Sequence, residues 1–301
     1  MKGAAFEASE APGAFREDVE ARGAEAGRPP AARSRIVVIT NGNFFSRVIL
    51  DPLLRGPQYD VAGVVVVTGI AAGQTRWRSL LKIFTTGGVR HFAYKASTYI
   101  VFALSSQILR RRSFFVHQLA KRLSIDTCFT QYVNEPSVYE RIVSWQPEIL
   151  VSVSCPQRIG ARLLSCPTKV AINVHSSLLP RYAGIEPYLW VLAKGETTTG
   201  TTVHIMREEF DTGDILVQRE LAIDPGESVF SLFYRLSILG GEAVTQAIDA
   251  IITDLAAPVQ QDGSERTYFS WPNSDAVRAI YDNGHRFARV SDFRRALSET
   301  R

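Results

Sequence analysis

Four short, largely aliphatic runs, none containing a charge, constrain this chain more than any other feature. They are Ile36-Val37-Val38-Ile39, Val61 to Val67, Ile149 to Val153 and Val170 to Val174. Runs that stay apolar, instead of alternating with polar residues, mark strands buried on both faces of a parallel sheet. The first runs into the polar turn Thr40-Asn41-Gly42-Asn43 and then a helix-like stretch from Phe44 to Leu54. Strand, glycine turn, helix, strand is the opening of a Rossmann-like α/β fold, a mostly parallel sheet with helices on both faces. The turn lacks G-x-G-x-x-G, so it does not point to a dinucleotide.

The same alternation continues down the chain. Thr127 to Gln131 reads as a short strand, and Ser137 to Gln146 as a helix capped by Ser137 and stopped by Pro147. Ile159 to Leu164 and Glu186 to Lys194 read as helices. Thr202 to Met206 and Ile215 to Ile223 read as later strands, the second antiparallel at the edge. Ser228 opens a long amphipathic helix to about Ile252. Three regions depart from this pattern. Residues 1–34 are rich in Ala, Glu, Gly and Arg and are expected to be a disordered tail. From Gly69 to Ile125 there are ten Lys and Arg and no Asp or Glu, interleaved with apolar residues. That stretch predicts an insertion of basic amphipathic helices over about 70–125, with either a solvated basic face or a surface for an anionic partner. Residues 256–301 are polar and turn-rich, a short extension after a main domain spanning 35–255.

Bulk properties narrow the class. The three cysteines, Cys128, Cys155 and Cys166, make no C-x-x-C pair, so neither a disulfide framework nor a metal site is expected. The apolar run Ala96 to Leu109 is shorter than the ~20 residues a membrane span requires. The N-terminus has no apolar core of a signal peptide. A soluble cytoplasmic protein is the expectation, and the net charge of +4 suits an anionic ligand.

Three polar residues stand out against this frame. Asn173 and His175 are two apart on one predicted strand, so their side chains share a face, near the carboxyl end where open α/β sheets bind ligands. Asp211 lies in the turn Phe210-Asp211-Thr212-Gly213-Asp214 between two later strands. These groups suit acyl transfer. An imidazole moves protons near neutral pH, a carboxamide donates to an oxyanion, and a carboxylate orients the histidine or a water. By spacing alone, the Asn-x-His pair also fits a structural hydrogen bond and the aspartate a local Asx-turn.

The segment Ile172-Asn173-Val174-His175-Ser176-Ser177-Leu178-Leu179-Pro180-Arg181-Tyr182-Ala183-Gly184 resembles the signature of the 10-formyltetrahydrofolate-dependent formyltransferases. That family includes glycinamide ribonucleotide, methionyl-tRNA and nucleotide-sugar enzymes. The resemblance continues through Thr199-Gly200-Thr201-Thr202-Val203-His204 and Asp211-x-Gly213-x-Ile215-x-x-Gln218, and covers about Arg35 to Ile252. It implies the formyltransferase version of the fold, with Asn173, His175 and Asp211 catalytic. It also implies 10-formyltetrahydrofolate as formyl donor, held by Gln157, Arg158, Ile159, Phe210 and Gly213. His204 matches a further family histidine, with a structural or a supporting role. Ser176 stands where the family usually has proline. The first turn carries Phe44 and Phe45 in place of small residues, which implies a ligand other than a ribonucleotide phosphate there.

The implied function is transfer of formyl to a primary amine of a small metabolite, such as an amino sugar. The ~45 residues after the long helix are too few for an RNA-reading barrel, so no nucleic-acid partner is expected. Homodimerisation and peripheral contact of the basic segment with an anionic surface complete the expected partners. Alternatives are a formyltetrahydrofolate hydrolase, a methionyl-tRNA formyltransferase-like enzyme and a non-catalytic folate-binding protein.

Overall fold

Arg35–Thr40 forms strand β1, and Ile36, Val37, Val38 and Ile39 within it are all fully buried. Ile36 and Val38 join one apolar cluster with Ile49, Leu53 and Ala247, whereas Val37 and Ile39 join another with Val138, Ile142 and Leu163. Each such side chain, taken out of water, contributes ~1.5–3 kcal/mol. Burial toward two helical layers is therefore what selects β-branched residues at every position here, and what holds the strand in the sheet's interior.

The computed structural model describes the backbone of residues 33–69 and 76–300. Apart from its last two positions the predicted N-terminal tail lies outside the described residues, as do the insertion's first residues. Ser34 is buried, its hydroxyl donating to Glu148 Oε2 at 3.0 Å. After β1 come α1 (Phe44–Arg55), β2 (Asp60–Val67), α2 (Arg76–Ile108), α3 (Val116–Arg122) and β3 (Thr127–Thr130). Then follow α4 (Pro136–Ser144), β4 (Ile149–Val153), α5 (Ala161–Leu164), β5 (Val170–His175), β6 (Ala183–Gly184) and α6 (Pro187–Ala193). The chain continues through β7 (Thr198–Ile205), β8 (Ile215–Ala222), α7 (Val229–Ile252), β9 (Tyr268–Phe269), α8 (Ser274–Asp282) and α9 (Val290–Glu299).

Seven strands form one sheet in the order β3-β2-β1-β4-β5-β7-β8, and β6 and β9 form a small second one. The first five are parallel; β7 pairs antiparallel with β5, and β8 antiparallel with β7. The strand expected to be antiparallel at the edge, β8, is so, and the chain also reverses at β7 against β5. That reversal matters, because it brings Thr202 and His204 directly opposite His175 and Asn173.

Two regions differ from the sequence expectations for local reasons. α4 begins at Pro136 with Glu135 as N-cap, not at Ser137, because proline's fixed φ and missing N–H suit the first turn. The extension after residue 256 holds the short helices α8 and α9, with α8 capped by the Asn273 side chain and burying Ala276, Val277 and Ile280.

The basic insertion is a helix broken at Gly88, whose φ of 73° belongs to the left-handed region that favours glycine. Its inner side enters an aromatic cluster. Phe102 stacks on Phe44 at 3.7 Å between centroids and lies near Phe114 and Phe230. Its outer residues Ile100, Leu104 and Ile108 are exposed, followed by exposed Arg110 and Arg111. The C-terminal extension ties down the same insertion. Arg90 lies 4.6 Å from the Tyr281 ring, and Arg112 donates to the Leu297 carbonyl. No helix among the described residues is long and apolar enough to cross a membrane.

Candidate active site

β5 positions the first two candidate residues. Ile172 and Val174 point into the core against α1 and α7, so the alternation of the strand sends Asn173 and His175 to the other face. There, with Asp211, they line a cavity of about 560 Å³.

His175 Nε2 lies 2.9 Å from the Tyr182 carbonyl, which can only accept, so Nε2 carries a proton and Nδ1 is the nitrogen turned toward Asp211. Nδ1 is 3.7 Å from Asp211 Oδ1. His204 Nδ1 lies 2.9 Å from its neighbour's carbonyl, on Ile205, which leaves Nε2 as an acceptor. Nε2 receives a hydrogen bond from Asn173 Nδ2 at 3.2 Å and lies 3.6 Å from Asp211 Oδ1. The Asn173 amide is thereby oriented by one N–H, and its second N–H remains to donate.

Asp211 is 9% exposed, has a φ of 56° and accepts from the Gly184 amide at 2.9 Å. Burial by itself would raise its pKa. The imidazoles of His175 and His204 and the Gly184 amide outweigh burial and hold the carboxyl well below the usual carboxylate range. It is a fixed negative charge beside two imidazoles.

The remaining motif residues shape the loop from Ser176 to Gly184. Thr201 Oγ1 donates to the His175 carbonyl at 3.1 Å, Thr202 Oγ1 to the Ser177 carbonyl at 2.7 Å, and Gln218 Nε2 to the Leu179 carbonyl at 2.9 Å. Threonines and a glutamine at this spacing anchor successive carbonyls of the loop, which places the Tyr182 carbonyl on His175. Ser176, in the family's usual proline position, lines the cavity.

Of the residues expected to hold the formyl donor, Gln157, Arg158, Ile159 and Phe210 line the same cavity. Gln157 is a brace within it: its amide donates to the carbonyls of Gly69 and Gln131 at 3.0 and 2.6 Å and accepts from Val133 N at 2.9 Å. Arg158 donates to the Glu208 carbonyl at 2.7 Å, linking the β4 loop to the loop before Asp211. Ile159 is buried and Phe210 half exposed, so together they present apolar surface. Gly213 is not among the lining residues. A Cβ there would sit 1.8 Å from the Ile205 carbonyl, so this glycine allows the loop to approach β7 closely.

Two supports came from outside any local motif. Gln261 Nε2 donates to the carbonyls of Asp211 and Gly213 at 3.1 and 2.6 Å. Arg266 donates to those of Asp211 and Phe210 at 3.2 and 2.9 Å. The extension thus fixes the backbone that carries Asp211. Its aromatics divide the work: Phe269 stacks on Tyr182 and Trp190, whereas Tyr268 and Trp271 line the cavity. No group of three or more His, Cys, Asp or Glu among the described residues is arranged to hold a metal ion.

Comparison with known proteins gives a consistent result. The profile of the formyl transferase family matches residues 34–248. A methionyl-tRNA formyltransferase from Trichlorobacter lovleyi is 37% identical over 153 residues, 51% of this chain and 48% of the relative. The chain spans about half the length of the curated relatives it matches. Among solved structures, a glycinamide ribonucleotide transformylase from Symbiobacterium toebii superposes with a TM-score of 0.54 at 18% identity, covering 77% of this chain and 96% of that one. An N-formyltransferase from Helicobacter canadensis, in complex with folinic acid and dTDP-3-aminofucose, gives 0.52 at 15% identity, covering 83% and 80%. At these identities the structures speak for the fold. The expectation of no nucleic-acid partner finds no support here, since the curated relatives are named for methionyl-tRNA.

Proposed function

We propose, from the premise that this chain belongs to the formyl transferase family, that it transfers the formyl group of 10-formyltetrahydrofolate to a primary amine of a small metabolite, such as an amino sugar. The observation that carries this reading is the convergence of Asn173, His175 and Asp211 on one cavity, with His175 Nδ1 3.7 Å from the Asp211 carboxylate. The cavity suits such a donor. It has the size of a small-molecule site, with apolar surface at Ile159 and Phe210 and polar groups gathered in one place. Gln157, Arg158, Ile159 and Phe210 would hold the folate, which supplies the activated formyl carbon when bound.

On this reading the chain's own groups divide the chemistry. The free N–H of Asn173 donates to the oxygen on which negative charge develops, and His204 keeps it aimed. His175 Nδ1 takes the proton that the attacking amine loses, while its Nε2–H stays on the Tyr182 carbonyl. The Asp211 carboxylate stabilises the resulting imidazolium. Overall, a bond forms between the amine nitrogen and the formyl carbon and the bond from that carbon to the folate nitrogen breaks. The amine's proton ends on the folate nitrogen, giving a formamide and tetrahydrofolate.

The test incubates the protein with 10-formyltetrahydrofolate and a panel of amines, with both products followed by mass spectrometry. Equimolar N-formyl amine and tetrahydrofolate support transfer. Formate without an N-formyl product would identify hydrolysis instead, and neither product would overturn the reading. The names of the curated relatives favour a second acceptor class, the amino group of a charged tRNA, which belongs in the same panel.

A further inference from the structure

Besides the reacting groups, the cavity lining includes Tyr94, Lys95, Tyr99 and Phe102 of α2, together with Phe45 and Phe233; of these rings Tyr99 is exposed and the others are buried. Phe102 and Phe45 belong to the aromatic cluster that seats the insertion on α1 and α7, so this surface is already built without a ligand. The cations among the described lining residues are ion-paired. Lys95 is ion-paired with Glu186 and donates to the Tyr188 hydroxyl at 2.9 Å. Arg158 pairs with Glu208 at 3.4 Å and Arg207 with Asp214 at 3.2 Å. Among the described lining residues these three cations face four carboxylates, Glu186, Glu208, Glu209 and Asp211.

Three amides at the turn before α1 are likewise engaged. Its Gly42 amide donates to Thr40 Oγ1, that of Asn43 to Asn41 Oδ1, and that of Ser46 to Asn43 Oδ1. A phosphate leaving water needs unengaged cations or a nest of amides pointing at it. The exposed lining rings, Tyr99, Phe210 and Tyr268, in contrast reward apolar burial at ~25 cal/mol per Å², and aromatic faces attract an ammonium.

We infer that the acceptor is an unphosphorylated primary amine whose body is apolar, aromatic or aliphatic, seated against Tyr99 of the inserted helix. This rests on the formyl-transfer reading above. It separates this chain from an enzyme that takes a nucleotide-linked amino sugar.

Calorimetry on the full chain tests the inference and its premise separately. The protein is titrated with 5-formyltetrahydrofolate, and the loaded protein then with 2-phenylethylamine or dTDP-3-aminofucose. The expected result is at least tenfold tighter binding of 2-phenylethylamine. Tyr99→Ala should weaken it at least threefold and leave folate binding unchanged; Tyr99 is 66% exposed, so its loss does not threaten the fold. Equal or tighter binding of dTDP-3-aminofucose, or binding of neither amine to the folate-loaded protein, overturns the inference and leaves formyl transfer standing. Failure of 5-formyltetrahydrofolate to bind removes the premise, and the inference falls with it.

Discussion

Replacing Asp211 by Asn preserves its shape and an oxygen for the Gly184 amide, but removes the charge 3.7 Å from His175 Nδ1. At an effective dielectric of ~20, a unit charge pair at that distance is worth about 4 kcal/mol. If His175 becomes positive as it takes the amine's proton, the variant loses that stabilisation as the transition state forms. Asp211→Asn should then turn over roughly a thousandfold more slowly, with folate affinity within about threefold of wild type. The assay is the initial rate of N-formyl product at saturating folate, beside calorimetry with 5-formyltetrahydrofolate. A pH series of thermal unfolding gives a control on the charge itself. Because the folded-state pKa of Asp211 is lowered, its carboxylate stabilises the fold above the ordinary carboxylate range, and that contribution is lost as pH falls toward the lowered value. The variant lacks this acid limb. A variant turning over within tenfold of wild type, with folate affinity intact, would refute the proton-acceptor argument.

Three further predictions concern the frame around the site. Glu186 is buried, which alone would raise its pKa, yet Lys95 and His91 hold it at about 2, against an ordinary 4.5. Its stabilisation is therefore present above pH 4.5 and lost as pH falls toward 2; Glu186→Gln should be less stable at neutral pH and flat through that window, whereas parallel melting curves would contradict the ion pair's role. Gly213→Ala should cost about 1–3 kcal/mol in denaturant unfolding, because the new methyl meets the Ile205 carbonyl, and unchanged stability would show that the loop has room to move. Arg266→Ala removes two donors to the Asp211 loop and should lower turnover roughly tenfold with little change in folate affinity, read as kcat against Kd; equal loss in both would mean Arg266 shapes the folate site instead.

The sheet was legible because its central strands are buried on both faces, and burial of that kind leaves only aliphatic residues in the run, as in β1. Asn173 and His175 were legible for the converse reason, two polar residues at strand spacing among Ile172 and Val174. The place of His204 was not, because it follows from the antiparallel register that sets Asn173 opposite His204, and no local pattern states which strand reverses. Gln157 was legible as a cavity residue, but its three hydrogen bonds were not, because their partners Gly69, Gln131 and Val133 are brought together only by the adjacency of β2, β3 and β4. Gln261 and Arg266 left no signal at all. Their partners are backbone carbonyls about fifty residues upstream, and a carbonyl has no sequence identity.

Titrating the wild-type chain with 5-formyltetrahydrofolate in a calorimeter asks whether this cavity takes a formyl-folate. Saturable one-to-one binding in the micromolar range is the predicted result, and no heat of binding up to millimolar ligand would contradict it.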